Sequence, residues 1–249
     1  GIYVNNNRGK RSLVIDVKQA AGVEAMRLLI ADADVLIQNF RPGAMERMGL
    51  GWHEMHELNP DLIYTSISGY GPDGPNSGRR AYDNVSQAAS GLASVQAHPA
   101  TGVPELFRTL LCDKATAYTA TQAITAALFA RERGTVRGQH IELAMIDTAV
   151  AFMWPDSAMD AALLDDDATH APTIASMYGA VQLADGYAAT SVVTESEFRA
   201  QCNTYGRPDL ADDPRFADGR LRATNRSALN AELKASAAAT TTADFAQRA

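Results

Sequence analysis

The sequence predicts an α/β fold built on a parallel sheet, followed by a smaller α+β unit. Three short, largely apolar segments, at residues 12–17, 34–38 and 62–68, alternate with helical patterns. Apolar strands that alternate with helices are typical of a parallel sheet covered on both faces. Near the C-terminus, two strand patterns at 177–183 and 187–193 flank an Asp-Gly pair, which predicts a β-hairpin, and helical segments follow.

The composition limits what the chain can do. With 249 residues it can bury a core in one large domain or two smaller ones. The net charge of −7 argues against nucleic-acid binding as the main function, but local Arg and Lys side chains can still bind an anion. Cys112 and Cys202 form no disulfide framework, no apolar run is long enough to span a bilayer, and no signal peptide opens the chain. We therefore expect a cytoplasmic protein that does not contact a membrane.

The other elements of the first unit follow from periodicity and turn signals. Residues 22–31 have apolar side chains at helical spacing. Residues 69–80 are dense in Gly and Pro and predict an irregular loop without a phosphate-binding glycine pattern. Residues 106–129 predict a buried, non-helical segment that leads into a long helix. Further helices are predicted at 44–48, 52–58, 82–93 and 147–159, with a strand or helix start at 141–145.

The boundary between the two units is predicted at an acidic stretch. Three consecutive Asp residues at 165–167 precede small and polar residues, as in a solvated linker. We therefore assign 1–159 to a large domain, 160–176 to a linker and 177–249 to a small domain. Because the chain opens without an initiator Met and closes within a helical pattern, we expect a terminal portion of each domain to be absent.

Asp113 is the residue on which the candidate chemistry depends. It follows the apolar run 110–112 and begins the long helical segment. Asp is a favoured N-cap because its carboxylate accepts the free N–H groups of the first turn. The residues alone therefore leave two interpretations open, a structural cap and a catalytic carboxylate. Asp147 is the alternative carboxylate.

Five motifs occur in an order that resembles one known family. They comprise residues 7–12, 39–49, 67–71, 138–142 and 211–216. Together they resemble the family III coenzyme A transferases, which include formyl-CoA and carnitine-CoA transferases and the α-methylacyl-CoA racemases. The resemblance covers nearly the whole chain. It implies a Rossmann-like large domain and a small domain, in two subunits that interlock as a homodimer. The family's first strand–helix–strand unit and its C-terminal return to the large domain have no counterpart here.

The resemblance implies that Asp113 is a nucleophile. In the family, an Asp at this position attacks the acyl-CoA thioester and forms an acyl-enzyme anhydride, and an aspartyl-CoA thioester follows. The expected substrates are an acyl-CoA and a carboxylic acid acceptor, with no tightly bound cofactor. Asp147 is expected to be structural, because the segment before it does not carry the chemistry in the family.

Tyr82 and Asp83 are the other implied catalytic residues. Family transferases have Tyr next to an acidic residue here, whereas racemases have a His-Asp pair whose His moves a proton. A Tyr hydroxyl titrates at about 10 and is a poor proton shuttle at neutral pH. The residues therefore favour a transferase over the first alternative, a racemase. A non-catalytic CoA-binding scaffold is the second alternative, and it predicts CoA binding without thioester exchange. Simple aromatic packing at a helix start is the alternative role for Tyr82.

Five residues are candidates for binding CoA. Arg47 follows a Pro-Gly turn, where a phosphate could lie, and its guanidinium offers forked hydrogen bonds. The resemblance implies that Arg80, Lys18 and Ile15 match positions that contact the phosphates and the adenine, although Lys18 is equally explained as a surface charge. Asn39 lies at the end of a predicted strand, where parallel sheets bind ligands. The five histidines lack metal-ligand spacing, and we expect no metal.

Overall fold

The computed structural model describes residues 1–98, 101–158, 162–165, 167–168 and 174–249. Contacts divide the chain into two compact units, Gly1–Pro155 and Asp156–Ala249. Within the described residues, every helix is too short or too polar to cross a membrane. In chain order, the elements from the N-terminus to the unit boundary are α1 (Ile2–Asn6), α2 (Ala20–Ala31), β1 (Val35–Gln38), α3 (Ala44–Arg47), α4 (Trp52–Leu58), β2 (Ile63–Ser68), α5 (Asp83–Ala89), α6 (Leu92–Val95), α7 (Leu111–Glu132), β3 (Gln139–Ala144) and α8 (Met145–Ser157).

The sheet of the first unit is parallel, which confirms the predicted class. Its strand order is β1-β2-β3. Val35 pairs with Ile63, and Ile63 pairs with Gln139, so the three strands run in register. Their carboxyl ends therefore meet at one edge, beyond Gln38 and Ser68. Ligands bind at such an edge in open parallel sheets.

The core of the first unit lies between the sheet and α2 and α4. Tyr64 of the central strand is buried among apolar side chains from these helices and from the intervening turns. Its hydroxyl donates to the carbonyl of Leu50 at 2.9 Å, so the burial leaves this polar group paired. α7 packs against β2 and β3. The helices cover the sheet less completely than predicted at the edge strand β1, where Ile37 is 56% exposed.

The strand predicted at 12–17 is wrong. No strand forms there, and Leu13 and Val14 are exposed. An apolar run becomes a strand only where a neighbouring strand takes up its backbone hydrogen bonds. Here the chain turns instead: the Asp16 carbonyl accepts the N–H of Gln19 at 3.1 Å. The same carbonyl lies 2.1 Å from where a Cβ on Gly22 would be, so only glycine lets the segment pack on α2.

The single helix predicted at 82–93 is two helices, α5 and α6. Gly91 separates them with a φ of +91°, a backbone conformation that is strained for any other residue. This break leaves the end of α5 free to turn toward the segment that leads into α7. The long helix itself, α7, is present as predicted and runs unbroken over 22 residues.

The second unit has α+β character. It contains a 3-10 helix (Ile174–Met177), β4 (Val181–Gln182), β5 (Tyr187–Ala188), α9 (Glu195–Thr204), two 3-10 helices (Pro208–Asp212 and Pro214–Phe216), α10 (Gly219–Thr224), α11 (Arg226–Ala237) and α12 (Thr242–Arg248). The predicted hairpin exists but is short, and residues 183–186 connect its strands. The carboxylate of Asp185 in this connection accepts the backbone N–H of Thr242 at 2.7 Å. The predicted linker, 160–176, lies largely outside the described residues.

Candidate functional site

Two cavities open beyond the carboxyl ends of the parallel strands. The larger, of about 300 Å³, has no acidic residue in its lining, and we call it the arginine cavity. Its polar lining consists of Asn39, Arg41, Ser68, Ser77, Arg79, Arg80 and Tyr82. The smaller, of about 140 Å³, we call the acidic cavity, and its ionisable lining consists of Glu46, His140, Glu142 and Asp147. The charge of each lining favours ligands of opposite charge.

A close backbone approach brings the loop at 69–80 back onto the sheet. A Cβ on Gly69 would lie 2.2 Å from the Cβ of Ala81, so only glycine permits this contact. The Gly69 carbonyl also accepts the N–H of Ile146, in the first turn of α8, at 3.1 Å. The end of β2, the end of the loop and the start of α8 are therefore held together, and Arg80 and Tyr82 reach the arginine cavity.

Asp113 is the third residue of α7 and is not its N-cap. Leu110 occupies the N-cap position, and its side chain makes no capping hydrogen bond. Instead, Oδ2 of Asp83 accepts the N–H of Asp113 at 2.9 Å. The interpretation of Asp113 as a structural cap is therefore wrong, because a carboxylate from another helix performs that task. Within the described chain, the carboxylate of Asp113 itself makes no hydrogen bond and is exposed.

The surroundings of Asp113 shift its protonation equilibrium. Although Asp113 is exposed, the atoms around it remove part of its hydration, and this desolvation and, to a smaller degree, the nearby charge of Asp83 raise the pKa of Asp113 above its usual value. The first turn of α7 acts in the opposite direction, because helix N-termini favour an anion. Among the described residues no cation pairs with Asp113, so the protein stabilises its charged form only weakly.

The neighbouring thiol does not compete for this role. Cys112 is fully buried. Burial, with the charges of Asp83 and Asp113, raises the pKa of Cys112 to about 11. The thiol is therefore protonated at neutral pH, and a protonated, inaccessible thiol is a poor nucleophile.

Tyr82 and Asp83 have opposite environments although they are adjacent. The Tyr82 side chain is 63% exposed and lines the arginine cavity, which does not fit the alternative of simple packing at the helix start. Asp83 is only 7% exposed. Its Oδ1 accepts from Nε2 of Gln87 at 2.6 Å, and its Oδ2 accepts the N–H of Asp113. Tyr82 can therefore reach a ligand directly, whereas Asp83 faces the protein.

The predicted CoA-binding residues divide into three groups. Asn39 and Arg80 line the arginine cavity. Arg47 lines neither cavity, but its Nη1 lies 2.9 Å from where a Cβ on Gly43 would be, so its guanidinium folds over the Pro-Gly turn. Lys18 and Ile15 also line neither cavity; Lys18 lies in the turn before α2, and Ile15 lies in the irregular segment that precedes this turn.

Sequence reasoning missed Arg41 and Arg79, which also line the arginine cavity. Arg41 lies inside the motif at 39–49, and Arg79 directly precedes Arg80. The available signal was an arginine shortly after the strand predicted at 34–38 and a second arginine beside a predicted CoA-binding residue. It was not decisive, because exposed arginines in loops are common.

A polar chain crosses the sheet at the acidic cavity. Nε2 of Gln38 donates to Oγ of Ser66, which lies 2.9 Å from Nε2 of His140. The His140 ring stacks on Trp52 with centroids 5.4 Å apart, and burial lowers the pKa of His140. Asp147 lies exposed on the same cavity. Among the residues that the structure describes, no group of three or more His, Cys, Asp or Glu could hold a metal ion.

Comparison with known families identifies the family of this chain. The model of CoA-transferase family III matches residues 1–249. The chain belongs to CoA-transferase family III. Among its family III relatives, it is 34% identical over 257 residues to the probable fatty acyl-CoA transferase Rv3272 of Mycobacterium tuberculosis, covering 98% of this chain and 65% of the relative. It is also 34% identical over 234 residues to the acetyl-CoA:oxalate CoA-transferase of Acetobacter aceti, covering 92% of this chain and 59% of the relative.

Solved structures agree with this family assignment. The crystal structure of Rv3272 in an orthorhombic form matches with a TM-score of 0.84 and 34% identity, over 98% of this chain and 64% of that chain. A CAIB/BAIF family protein from Brucella suis matches with a TM-score of 0.77 and 31% identity, over 97% of this chain and 64% of that chain. The family III chain described here therefore spans under two thirds of the length of these relatives.

Proposed function

We propose that this protein is an acyl-CoA:carboxylate CoA-transferase in which Asp113 is the nucleophile. The observation that carries the proposal is the arrangement around the start of α7. The backbone N–H of Asp113 is capped by Asp83, so its own carboxylate is left free. The residue before Asp83 is Tyr82, which lines the arginine cavity. Asp113 itself lines neither cavity, but Asp83 connects its backbone to the residue that follows the cavity-lining Tyr82.

The proposed reaction conserves the thioester bond energy through two covalent intermediates. An oxygen of Asp113 attacks the thioester carbon, the C–S bond breaks, and CoA leaves as a thiolate while a mixed anhydride forms. The thiolate then attacks the carboxyl carbon of Asp113 in the anhydride. The first acid leaves as its carboxylate, and an aspartyl-CoA thioester remains. The acceptor carboxylate repeats these steps in reverse and leaves as acyl-CoA. Together, these steps replace one difficult exchange by a series of attacks on activated carbonyl carbons.

The other residues have roles that follow from their positions. Tyr82 lines the arginine cavity, and its hydroxyl is proposed to donate to the oxyanion that forms at the thioester carbon. The N–H of Asp113 cannot do so, because Asp83 already accepts it. Arg80 and Asn39 in the arginine cavity, with Arg47 above the Pro-Gly turn, are proposed to bind the CoA phosphates. Lys18 and Ile15 remain proposed CoA contacts on the resemblance alone.

Two broader features belong to the same proposal. The substrates are an acyl-CoA and a carboxylic acid, in agreement with the names of the relatives that act on oxalate and, in Agrobacterium fabrum, on succinate and glutarate. The proposed assembly is an interlocked homodimer of two-domain subunits, with domains over 1–159 and 177–249. Light scattering at micromolar concentration that gave the mass of a monomer would contradict the dimer.

The decisive experiment traps the intermediate on Asp113. The purified protein is incubated with acyl-CoA, treated with hydroxylamine and digested, and the modified residue is located by mass spectrometry. We expect a hydroxamate on Asp113, none in Asp113→Asn, and loss of CoA transfer in that variant, because an amide cannot form the anhydride. Asp147→Asn is the matched control, since Asp147 is also an exposed carboxylate in the first turn of a helix. Wild-type turnover in Asp113→Asn would refute the mechanism.

A further inference from the structure

Gln87 is a fully buried amide that touches neither cavity. It is 1% exposed and lies on α5, one turn after Asp83. Its Nε2 donates to Oδ1 of Asp83 at 2.6 Å and lies 3.2 Å and 3.1 Å from the carbonyls of Phe107 and Thr109. Its Oε1 accepts the N–H of Phe107 at 2.8 Å. One side chain therefore ties α5 to the segment that leads into α7.

These contacts fix the orientation of the amide. Because Oε1 must face the N–H of Phe107, Nε2 must face the Asp83 carboxylate and the two carbonyls. A rotated amide would place its oxygen against the oxygens of Asp83, which is unfavourable. The geometry thus has one stable arrangement, with Gln87 as donor to Asp83.

Asp83 depends on this donor. Asp83 is buried and has no cationic partner among the described residues, so only N–H groups stabilise its charge. One N–H comes from Gln87, and the other comes from the backbone of Asp113. A buried carboxylate that lost one of two donors would turn or take up a proton. Either change would reach Asp113 directly, through its N–H and through the charge beside it.

We propose that Gln87 is a positioning residue for the transfer reaction, which sets the location of Asp113 through Asp83 and through the backbone at Phe107 and Thr109. The inference rests on the proposed function of Asp113. Gln87 does not line either cavity, so it acts on the nucleophile and not on substrate binding. Its loss affects the chemical step and leaves the affinity for acyl-CoA nearly unchanged.

Two single variants separate the parts of this role. Gln87→Met keeps the length of the side chain and removes both the donor and the acceptor. Gln87→Glu keeps the shape but places a carboxylate against Asp83. For both we expect kcat to fall roughly 100-fold, the scale on which small misplacements of a reacting group act, with KM for acyl-CoA changed less than about threefold. In Gln87→Glu the added negative charge also moves the acid limb of kcat to higher pH, because ionised Asp113 is required.

A double variant tests the hydrogen bond itself. In Asp83→Asn combined with Gln87→Glu, the new Asn amide can donate to the new Glu while its oxygen still accepts the N–H of Asp113. The bond between the two side chains is thereby restored in the reverse direction. We expect kcat of the double variant to exceed that of Gln87→Glu alone by about tenfold, a non-additivity that a general loss of packing would not produce.

The controls keep the result interpretable. Ser90→Ala removes another buried hydrogen bond from the same region, that from Oγ to the Gln87 carbonyl, without touching Asp83. It should leave kcat and its pH profile at wild-type values. Folded Gln87→Met with wild-type kcat, or with a change confined to KM, would overturn the positioning role. An adduct that forms slowly on Asp113 in Gln87→Met supports it, whereas full turnover of Asp113→Asn would instead refute the proposed function.

Discussion

The substitution Asp83→Asn tests the electrostatics and the capping of α7 together. In the wild type, two N–H donors, from Gln87 at 2.6 Å and from Asp113 at 2.9 Å, meet the two carboxylate oxygens. Asn offers one oxygen and one NH₂ group, so one of the donors must face another donor. Leaving a buried donor unpaired costs about 1–3 kcal/mol, and the remaining bond loses its charge assistance. We expect the free energy of unfolding to fall by about 2–3 kcal/mol.

The same change should alter the titration of Asp113. Burial is the larger cause of its raised pKa, and the charge of Asp83 is the second cause. Asp83→Asn removes only the second cause, so the pKa of Asp113 should fall but stay above its usual value. Because the ionised form of Asp113 is the nucleophile, the acid limb of kcat should move to lower pH. The variant is therefore expected to be less stable and yet active at more acidic pH, relative to its own maximum.

Two measurements check this expectation. Denaturant unfolding gives the stability change, and single-turnover rates between pH 4 and pH 8 give the acid limb. Asp147→Asn serves as control, because it removes a carboxylate from the acidic cavity without a contact to Asp83. An acid limb that stayed in place or moved to higher pH would refute the coupling between Asp83 and Asp113. Unchanged stability would refute the capping role.

Two further substitutions test the proposed ligand site. Arg47→Ala should weaken CoA binding by about 1.5–3 kcal/mol, the value of a charge-assisted phosphate contact. Arg133→Ala, at the C-terminal end of α7 and away from the Pro-Gly turn, should not weaken it. Equal calorimetric affinities of the wild type and Arg47→Ala would remove Arg47 from the site. Gly69→Ala should lower the melting temperature and weaken CoA binding. The new Cβ would lie 2.2 Å from the Cβ of Ala81 and would push the loop at 69–80 away from the sheet. Gly78→Ala, with open space around it, should change neither quantity. Wild-type behaviour of Gly69→Ala would show that the loop tolerates displacement.

Local sequence determined the elements that depend on neighbours in the chain. The helix predicted at 52–58 is α4 with the same bounds, and the strands predicted at 34–38 and 62–68 are β1 and β2 within one residue. Apolar periodicity and turn residues fix such elements because they act over a few residues. The order of the five motifs between residues 7 and 216 likewise indicated the family, which is confirmed.

Tertiary structure decided which residues work together. The apolar run at 12–17 is not a strand, because no neighbour pairs with it. Sequence placed Asp113 at the start of a helix but could not show that Asp83, thirty residues earlier, caps that helix. The contact of Gln87 with Asp83 and the position of Arg79 in the arginine cavity were hidden for the same reason. Contacts across such separations depend on how whole elements pack, and local propensity carries no information about that packing.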